Sequence, residues 1–130
     1  MRLLDTDDVV DFLQGRSDVV HVVNGLTDRG EAATSVVTFG EVLEGILYGR
    51  DAHSAERRFE EWLLVVTILP VDEAIARRFA GIRGDLRRTG MLIPDADLLI
   101  AATALHYDLT LVTRNRRHFA RVPGIRLYPT

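Results

Sequence analysis

The 130-residue sequence predicts an α/β fold with a central, mostly parallel sheet of four to five short strands flanked by helices. Short apolar segments alternate along the chain with longer segments whose apolar residues recur every three or four positions. That alternation favours parallel strands joined by right-handed helical crossovers. The length fits one unit, and no repeat or low-complexity segment divides it, so we expect residues 1–130 to form a single domain.

The amino-terminal half opens with a short buried strand at Arg2-Leu3-Leu4. The acids after Thr6 are typical of a helix start, and the apolar pattern that follows predicts a helix to Gly15. A second short helix is expected to cover about Asp18 to Leu26 and to end at a turn. The remaining elements of this half are a strand over 31–37, a helix over 38–48 with one apolar face, and a helix over about 53–66 with a highly charged start.

The carboxyl-terminal half begins with a short strand and turn over 67–70, followed by an amphipathic helix over 71–89 that Gly90 closes. Pro94 opens a helix to about His106. Its surface is rich in Ala and Leu nearly all round, which predicts that it is buried. A strand over 110–113, a helical turn or loop over 114–118 and a last strand over 125–128 complete the chain.

The composition excludes several classes of protein. No apolar run approaches the roughly 18 residues of a membrane span, and an acid at position 5 comes too early for a secretory signal, so we expect a cytoplasmic protein. The chain has no Cys, which excludes disulfides and thiolate metal sites. All 16 basic residues are Arg, so enzymes that need a P-loop, Schiff-base or Ser–Lys lysine are excluded. The net charge of −3 argues against bulk attraction to nucleic acid.

Polar side chains fall where the predicted strands end. Asp5 ends the first strand, Glu41 is expected in the first turn after the second, Asp97 in the first turn of the buried helix, and Asn115 after the fourth strand. In open parallel sheets the ligand crevice lies beyond the carboxyl ends of the strands. Carboxylates that converge there repel each other unless a cation lies between them. Oxygen ligands favour Mg²⁺ or Mn²⁺, which would lower the pKa of bound water and neutralise a scissile phosphate.

Each acid also has a purely structural interpretation. Thr38 and Glu41 fit a capping box, Asp5 could be a strand-end turn residue, and Asp97 would interact favourably with the helix dipole. Asp95 is a good N-cap, so we expect Asp95 to cap the helix and Asp97 to bind the metal. A lone carboxylate on a helix this apolar would be costly, which favours a functional role for Asp97.

Four segments resemble, in order, the motifs of the PIN-domain family, in particular its VapC-type toxins. They are Leu3-Leu4-Asp5-Thr6-Asp7, Thr38-Phe39-Gly40-Glu41-Val42-Leu43-Glu44-Gly45, Asp97-Leu98-Leu99-Ile100-Ala101-Ala102, and Leu111-Val112-Thr113-Arg114-Asn115 with His118-Phe119 and Val122-Pro123-Gly124. The resemblance implies a magnesium-dependent endoribonuclease, the toxin of a type II toxin–antitoxin pair. It also implies a VapB-like antitoxin that blocks the site, a homodimer, no membrane partner, and contact with DNA only through the antitoxin.

Carried over by matching position, the resemblance makes Asp5, Glu41 and Asp97 the acidic triad, with Asp5 and Asp97 as the direct metal ligands. Some members of the family have a fourth acid where this chain has Asn115, and by that position the resemblance places Asn115 among the catalytic residues. Because it is neutral, Asn115 could orient water or a bound phosphate. Asp7 replaces the usual Asn.

The Arg-rich segment after the fourth strand is a candidate RNA-binding surface. Arg114 and Arg116, with Thr113, are expected to bind substrate phosphates, because the segment adjoins the acidic edge. The alternative is a solvated surface turn, and Thr113 can also donate its hydroxyl to a carboxylate or cap. The four histidines lack ligand spacing, so His118 and the others are expected to be structural or exposed.

Two other functions stay open. Asp5-Thr6-Asp7 resembles the opening of haloacid-dehalogenase-type phosphatases, in which the first Asp attacks phosphorus, although that family normally also uses a Lys. The chain could also act mainly as a partner in a DNA-binding antitoxin complex with little nuclease activity. The apolar surface of the stretches 38–48 and 55–66 predicts a homodimer.

Overall fold

A computed structural model describes residues 1–129, and in that part of the chain five strands alternate with seven helices. The elements are, in chain order, β1 (Arg2–Leu4), α1 (Thr6–Leu13), α2 (Ser17–Asp28), β2 (Ala32–Ser35), α3 (Val36–Leu47), α4 (Ala52–Leu63), β3 (Thr67–Leu69), α5 (Glu73–Arg88), α6 (Asp95–His106), β4 (Thr110–Val112), α7 (Arg116–Phe119) and β5 (Arg126–Leu127). No helix within residues 1–129 is long and apolar enough to cross a membrane.

The strands form one parallel sheet in the order β3-β2-β1-β4-β5. β1 lies at its centre, with Leu3 opposite Ala33 of β2 and Leu111 of β4. The predicted α/β fold with a parallel sheet is therefore confirmed. Because β1 and β4 are neighbours and run in the same direction, the residues that follow them, Asp5 and Thr113, emerge side by side at one edge.

The two faces of the sheet are covered by separate hydrophobic clusters. Leu3 faces a cluster that includes Leu98 and Phe119, whereas the next residue, Leu4, faces a cluster that includes Val23 and Trp62. This alternation is what the pleat of a strand imposes. The sequence prediction that 94–106 is a buried helix is confirmed for α6, whose residues from Ile100 to Ala104 are all buried.

The predicted boundary between the second strand and its helix is wrong. β2 ends at Ser35, and the Ser35 hydroxyl accepts a hydrogen bond of 3.0 Å from the backbone N–H of Val37, so α3 begins at Val36. The β-branched pair Val36-Val37 suggested a longer strand, but a side-chain cap outweighs that preference. Glu41 is therefore the sixth residue of α3, beyond the first turn, and a capping box with Thr38 as the N-cap is excluded.

The predicted N-cap of α6 is also wrong. Pro94, not Asp95, is the N-cap of α6, and Asp95 is the first helical residue, exposed and 3.0 Å from Nε of Arg83. α1 is capped by Asp5, whose carboxylate accepts from the N–H of Thr6. Asp5 therefore caps the next helix and also lies at the carboxyl edge of the sheet.

Candidate active site

Asp5 is the buried centre of the acidic site. Its side chain is only 3% exposed, and its backbone N–H donates to the carbonyl of Val112 at 3.0 Å, which continues the pairing of β1 with β4. Oδ1 accepts from the N–H of Thr6 at 2.8 Å, and Oδ2 accepts from the hydroxyl of Thr113 at 2.8 Å. Two donors from two different elements therefore hold this carboxylate in one orientation.

The environment of Asp5 raises its pKa from 3.8 to about 6. Burial is the main cause, and the charges of Asp97 and Asp7 add to it, while the hydrogen bonds from Thr113 and Thr6 act in the opposite direction. The structure thus brings Asp5 and Asp97 together, as the sequence predicted. The charge of Asp97 disfavours the ionised form of Asp5, and a cation between the two carboxylates would relieve that repulsion.

Glu41 joins the site through Thr6. It is exposed on α3, and its Oε1 accepts from the Thr6 hydroxyl at 2.6 Å. The same Thr6 oxygen lies 3.2 Å from the hydroxyl of Thr38, which is buried in the first turn of α3. Thr6 therefore connects the start of α1 to α3 and fixes the distance between Asp5 and Glu41.

Asp97 and Asn115 meet at His118, a residue that the sequence analysis did not place in the site. Nδ1 of His118 lies 3.0 Å from Oδ2 of Asp97 and 2.8 Å from Nδ2 of Asn115. His118 is half-buried and contacts a carboxylate of the site, so it is not simply exposed, and the expectation that its role is structural stays a prediction. The available signal was its spacing: in the predicted helical turn, residues three apart share a face, so His118 follows Asn115 on the same side.

The three proposed substrate-binding residues have different surroundings. Thr113 is 3% exposed, so its side chain is not open to substrate. Its hydroxyl donates to Asp5 and also accepts from the N–H of Asn115 at 2.9 Å, so it holds Asp5 in place. The guanidinium of Arg114 is engaged by two carboxylates, those of Asp11 at 3.0 Å and Asp18 at 2.5 Å. Arg116 is exposed and donates to a backbone carbonyl near the carboxyl terminus at 2.9 Å.

The sequence also did not predict that a second acid, Asp8, is buried. Its side chain is 4% exposed, and within residues 1–129 its Oδ2 has no hydrogen-bond partner. Its pKa is raised to about 7, first by burial and then by the charge of Asp5, against the opposing effect of the Arg114 backbone N–H and guanidinium. Asp8 follows Asp5 by three positions, so both face the same side of α1.

The donor set fits a hydrated divalent cation. Within residues 1–129, no three His, Asp or Glu side chains come close enough together to enclose an ion. Mg²⁺ is commonly held by one or two carboxylates and keeps several waters, so the pair Asp5 and Asp97 is sufficient. All the nearby donors except His118 are oxygens, which suits Mg²⁺ or Mn²⁺.

Comparison with known proteins gives one consistent result. A family model described as "PIN domain" matches residues 2–125. Ribonuclease VapC1 of Methanocaldococcus jannaschii is 33% identical over 128 residues, which cover 97% of this chain and 85% of the relative. Ribonuclease VapC19 of Mycobacterium tuberculosis is 35% identical over 128 residues, covering 97% and 98%. The DNA-bound VapBC structure from Salmonella typhimurium superposes with a TM-score of 0.89 at 26% identity, covering 98% and 96% of the two chains.

Proposed function

From the premise that this chain belongs to the PIN-domain family, we propose that it is a metal-dependent endoribonuclease and the toxin of a type II toxin–antitoxin pair. The observation that carries the proposal is the convergence of Asp5 and Asp97 at the carboxyl edge of the sheet, close enough for the charge of Asp97 to raise the pKa of Asp5. The names of the VapC relatives supply the substrate class, RNA. Membership of this family also removes the haloacid-dehalogenase alternative.

Asp5 and Asp97 would hold Mg²⁺, with Mn²⁺ as the alternative. When bound, such a cation supplies a water of lowered pKa and neutralises charge on the scissile phosphate. Thr6 and Thr113 keep Asp5 fixed beside the cation, so this carboxylate does not have to reorient during the reaction. Each oxygen of Asp5 accepts one hydrogen bond and keeps a lone pair for a cation, and the side chain is buried, which suits a ligand better than a mobile base.

Glu41 and Asn115 complete the proposed machinery. Glu41 is the exposed member of the triad, and the Thr6 hydroxyl fixes its Oε1. Its Oε2 has no hydrogen-bond partner within residues 1–129 and would accept a proton from the attacking water. Asn115 is neutral and lies beside His118, so its amide can orient water or a phosphate oxygen without adding charge. Neither role requires Asn115 to bind the metal.

Arg116 is the better of the two proposed phosphate-binding arginines. Its guanidinium is exposed and, among residues 1–129, engaged only by a carbonyl, which a phosphate can replace as a stronger acceptor. Arg114 would first have to leave Asp11 and Asp18, so its main contribution is to bind α1 and α2 to the loop after β4. The net charge of −3 makes local contacts of this kind more important than overall attraction to RNA.

The proposed partner is a VapB-like antitoxin, since the solved neighbours include VapBC complexes, one of them bound to DNA. A basic side chain of the antitoxin at the acidic site would replace the charge of the metal and block the phosphate. DNA would be contacted only through the antitoxin. The exposed Leu47 and Tyr48 at the end of α3, with Leu64 after α4, offer apolar surface for the antitoxin or for a homodimer.

The test is RNA cleavage by the purified chain freed of its partner, with Mg²⁺ and with EDTA. Asp97→Asn should abolish Mg²⁺-dependent cleavage, whereas Asp95→Asn, a matched change two residues away, should leave it nearly intact. If the partner-free protein cleaves no RNA with any divalent metal, the alternative of a complex partner with little nuclease activity is favoured. Equal cleavage in Mg²⁺ and EDTA would contradict the proposed mechanism.

A further inference from the structure

We infer that His118 is a positioning residue whose Nδ1–H donates to Asp97 and orients that carboxylate toward the cation. The inference rests on the proposed function, since it gives Asp97 a task that needs a fixed orientation. His118 lies outside the set of site residues that the sequence predicts. His118 acts through Asp97 and is not itself a ligand.

Asp97 is held much less firmly than Asp5. Asp5 accepts hydrogen bonds on both oxygens, from Thr6 and Thr113. Within residues 1–129, the carboxylate of Asp97 accepts a single side-chain hydrogen bond, the one of 3.0 Å from His118 to Oδ2. Oδ1 is left available. Removing His118 would therefore leave this carboxylate free to rotate, with no second donor to compensate.

The short helix α7 fixes where His118 lies. Phe119, the next residue, is completely buried in the core cluster that also contains Leu98 of α6. That anchor holds α7 against α6, so the imidazole faces the first turn of α6, where Asp97 lies. The contact between His118 and Asp97 is thus a consequence of core packing and not of a flexible surface side chain.

The contact with Asp97 also favours one tautomer of the His118 ring. A carboxylate oxygen only accepts, so a 3.0 Å contact with Nδ1 is favourable only when Nδ1 is protonated. The amide nitrogen of Asn115 lies 2.8 Å from the same Nδ1, so the Nδ1–H tautomer requires this amide to turn its carbonyl oxygen toward the ring. In that orientation Asn115 and Asp97 would both accept from the one N–H.

The test uses three substitutions in the full chain, freed of its partner. His118→Ala removes the donor. His118→Asn restores an N–H close to the Nδ1 position, whereas His118→Gln, the matched control, places its amide nearer the Nε2 position. Mn²⁺ affinity is measured by isothermal titration calorimetry, and ¹⁵N NMR of the histidine near pH 8.5, where an ordinary imidazole is neutral, reports the tautomer.

We expect His118→Ala and His118→Gln to weaken Mn²⁺ binding about 10- to 100-fold, the usual effect of losing the partner of a metal ligand. His118→Asn should recover most of the affinity, and the NMR spectrum should show Nδ1 protonated. A Mn²⁺ affinity unchanged in His118→Ala, equal losses in the Asn and Gln variants, or a neutral ring protonated on Nε2 would each overturn the inference.

Asp97→Asn, measured alongside, separates this inference from the proposed function. If Asp97→Asn loses Mn²⁺ binding and RNA cleavage while His118→Ala loses neither, His118 has no positioning role and the proposed function stands. If Asp97→Asn itself retains both, the proposed metal site fails and the inference fails with it.

Discussion

Replacing the buried Asp8 by Asn removes a charge that the folded protein accommodates poorly. Asp8 is 4% exposed, its Oδ2 has no partner within residues 1–129, and its pKa is raised from 3.8 to about 7. Each unit of such a shift corresponds to about 1.4 kcal/mol, so the ionised form costs on the order of 4 kcal/mol of folding free energy above pH 7. Asp8→Asn keeps the shape of the side chain and removes that cost.

The sign of the pH dependence follows from proton linkage. Between pH 3.8 and about 7 the folded state holds a proton on Asp8 that the unfolded state has released. Stability from this group is therefore complete below pH 3.8 and falls by about 1.4 kcal/mol per pH unit until the folded pKa is passed. Asp5, whose pKa is raised to about 6, causes a second fall in stability, which ends at a lower pH and is also present in Asp8→Asn.

The measurement is urea unfolding at several pH values from about 4 to 8, in EDTA so that no metal binds. Asp8→Asn should be more stable than the parent at pH 8 by up to about 4 kcal/mol, and the difference should vanish near pH 4. Asp7→Asn, which changes an exposed acid of the same helix turn, is the control. Its stability at pH 8 should change by no more than a few tenths of a kcal/mol, because the weakened helix-dipole interaction and the relieved repulsion of Asp5 oppose each other. Parallel pH profiles for the parent and Asp8→Asn would refute the reasoning.

Three further predictions concern the metal site. Mg²⁺ should raise the melting temperature more at pH 8 than at pH 5, because Asp5, with a pKa of about 6, must lose its proton to bind, and equal shifts at both pH values would count against Asp5 as a ligand. Thr113→Val removes a hydrogen bond that lowers the pKa of Asp5, so the acidic limb of the cleavage rate should move to higher pH, whereas an unmoved limb would contradict this role. Asp95→Asn should change stability by less than about 0.5 kcal/mol in thermal unfolding, because its pair with Arg83 is largely exposed, and a larger loss would show that Asp95 has a further structural role.

The order of elements and the edge of the sheet could be predicted because they depend on patterns within short segments. The Ala- and Leu-rich residues of 94–106 identified α6, and the ends of parallel strands located Asp5 and Asn115. These inferences need only the hydrophobic period and the rule that parallel strands share a carboxyl edge.

The features that the sequence did not predict depend on contacts between segments that are far apart in the chain. Arg114 was expected to bind RNA because its segment adjoins the acidic edge. Its contacts with Asp11 and Asp18 could not be foreseen, because these residues lie 103 and 96 positions earlier in the chain. Asp8 could be recognised as buried only once α2 and the loop after β4 cover that side of α1. The expected homodimer and antitoxin contacts involve surfaces that a single chain leaves open, and they stay predictions.

The most direct test of the central claim is X-ray diffraction from crystals of this protein grown with Mn²⁺. The account predicts an anomalous peak at about 2.0–2.6 Å from a carboxylate oxygen of Asp5 and one of Asp97, with Glu41 near but not necessarily in contact. The peak should be absent in Asp97→Asn crystals grown in the same way. A peak elsewhere in the parent protein, or none at saturating Mn²⁺, would contradict the assignment of Asp5 and Asp97 as the metal ligands.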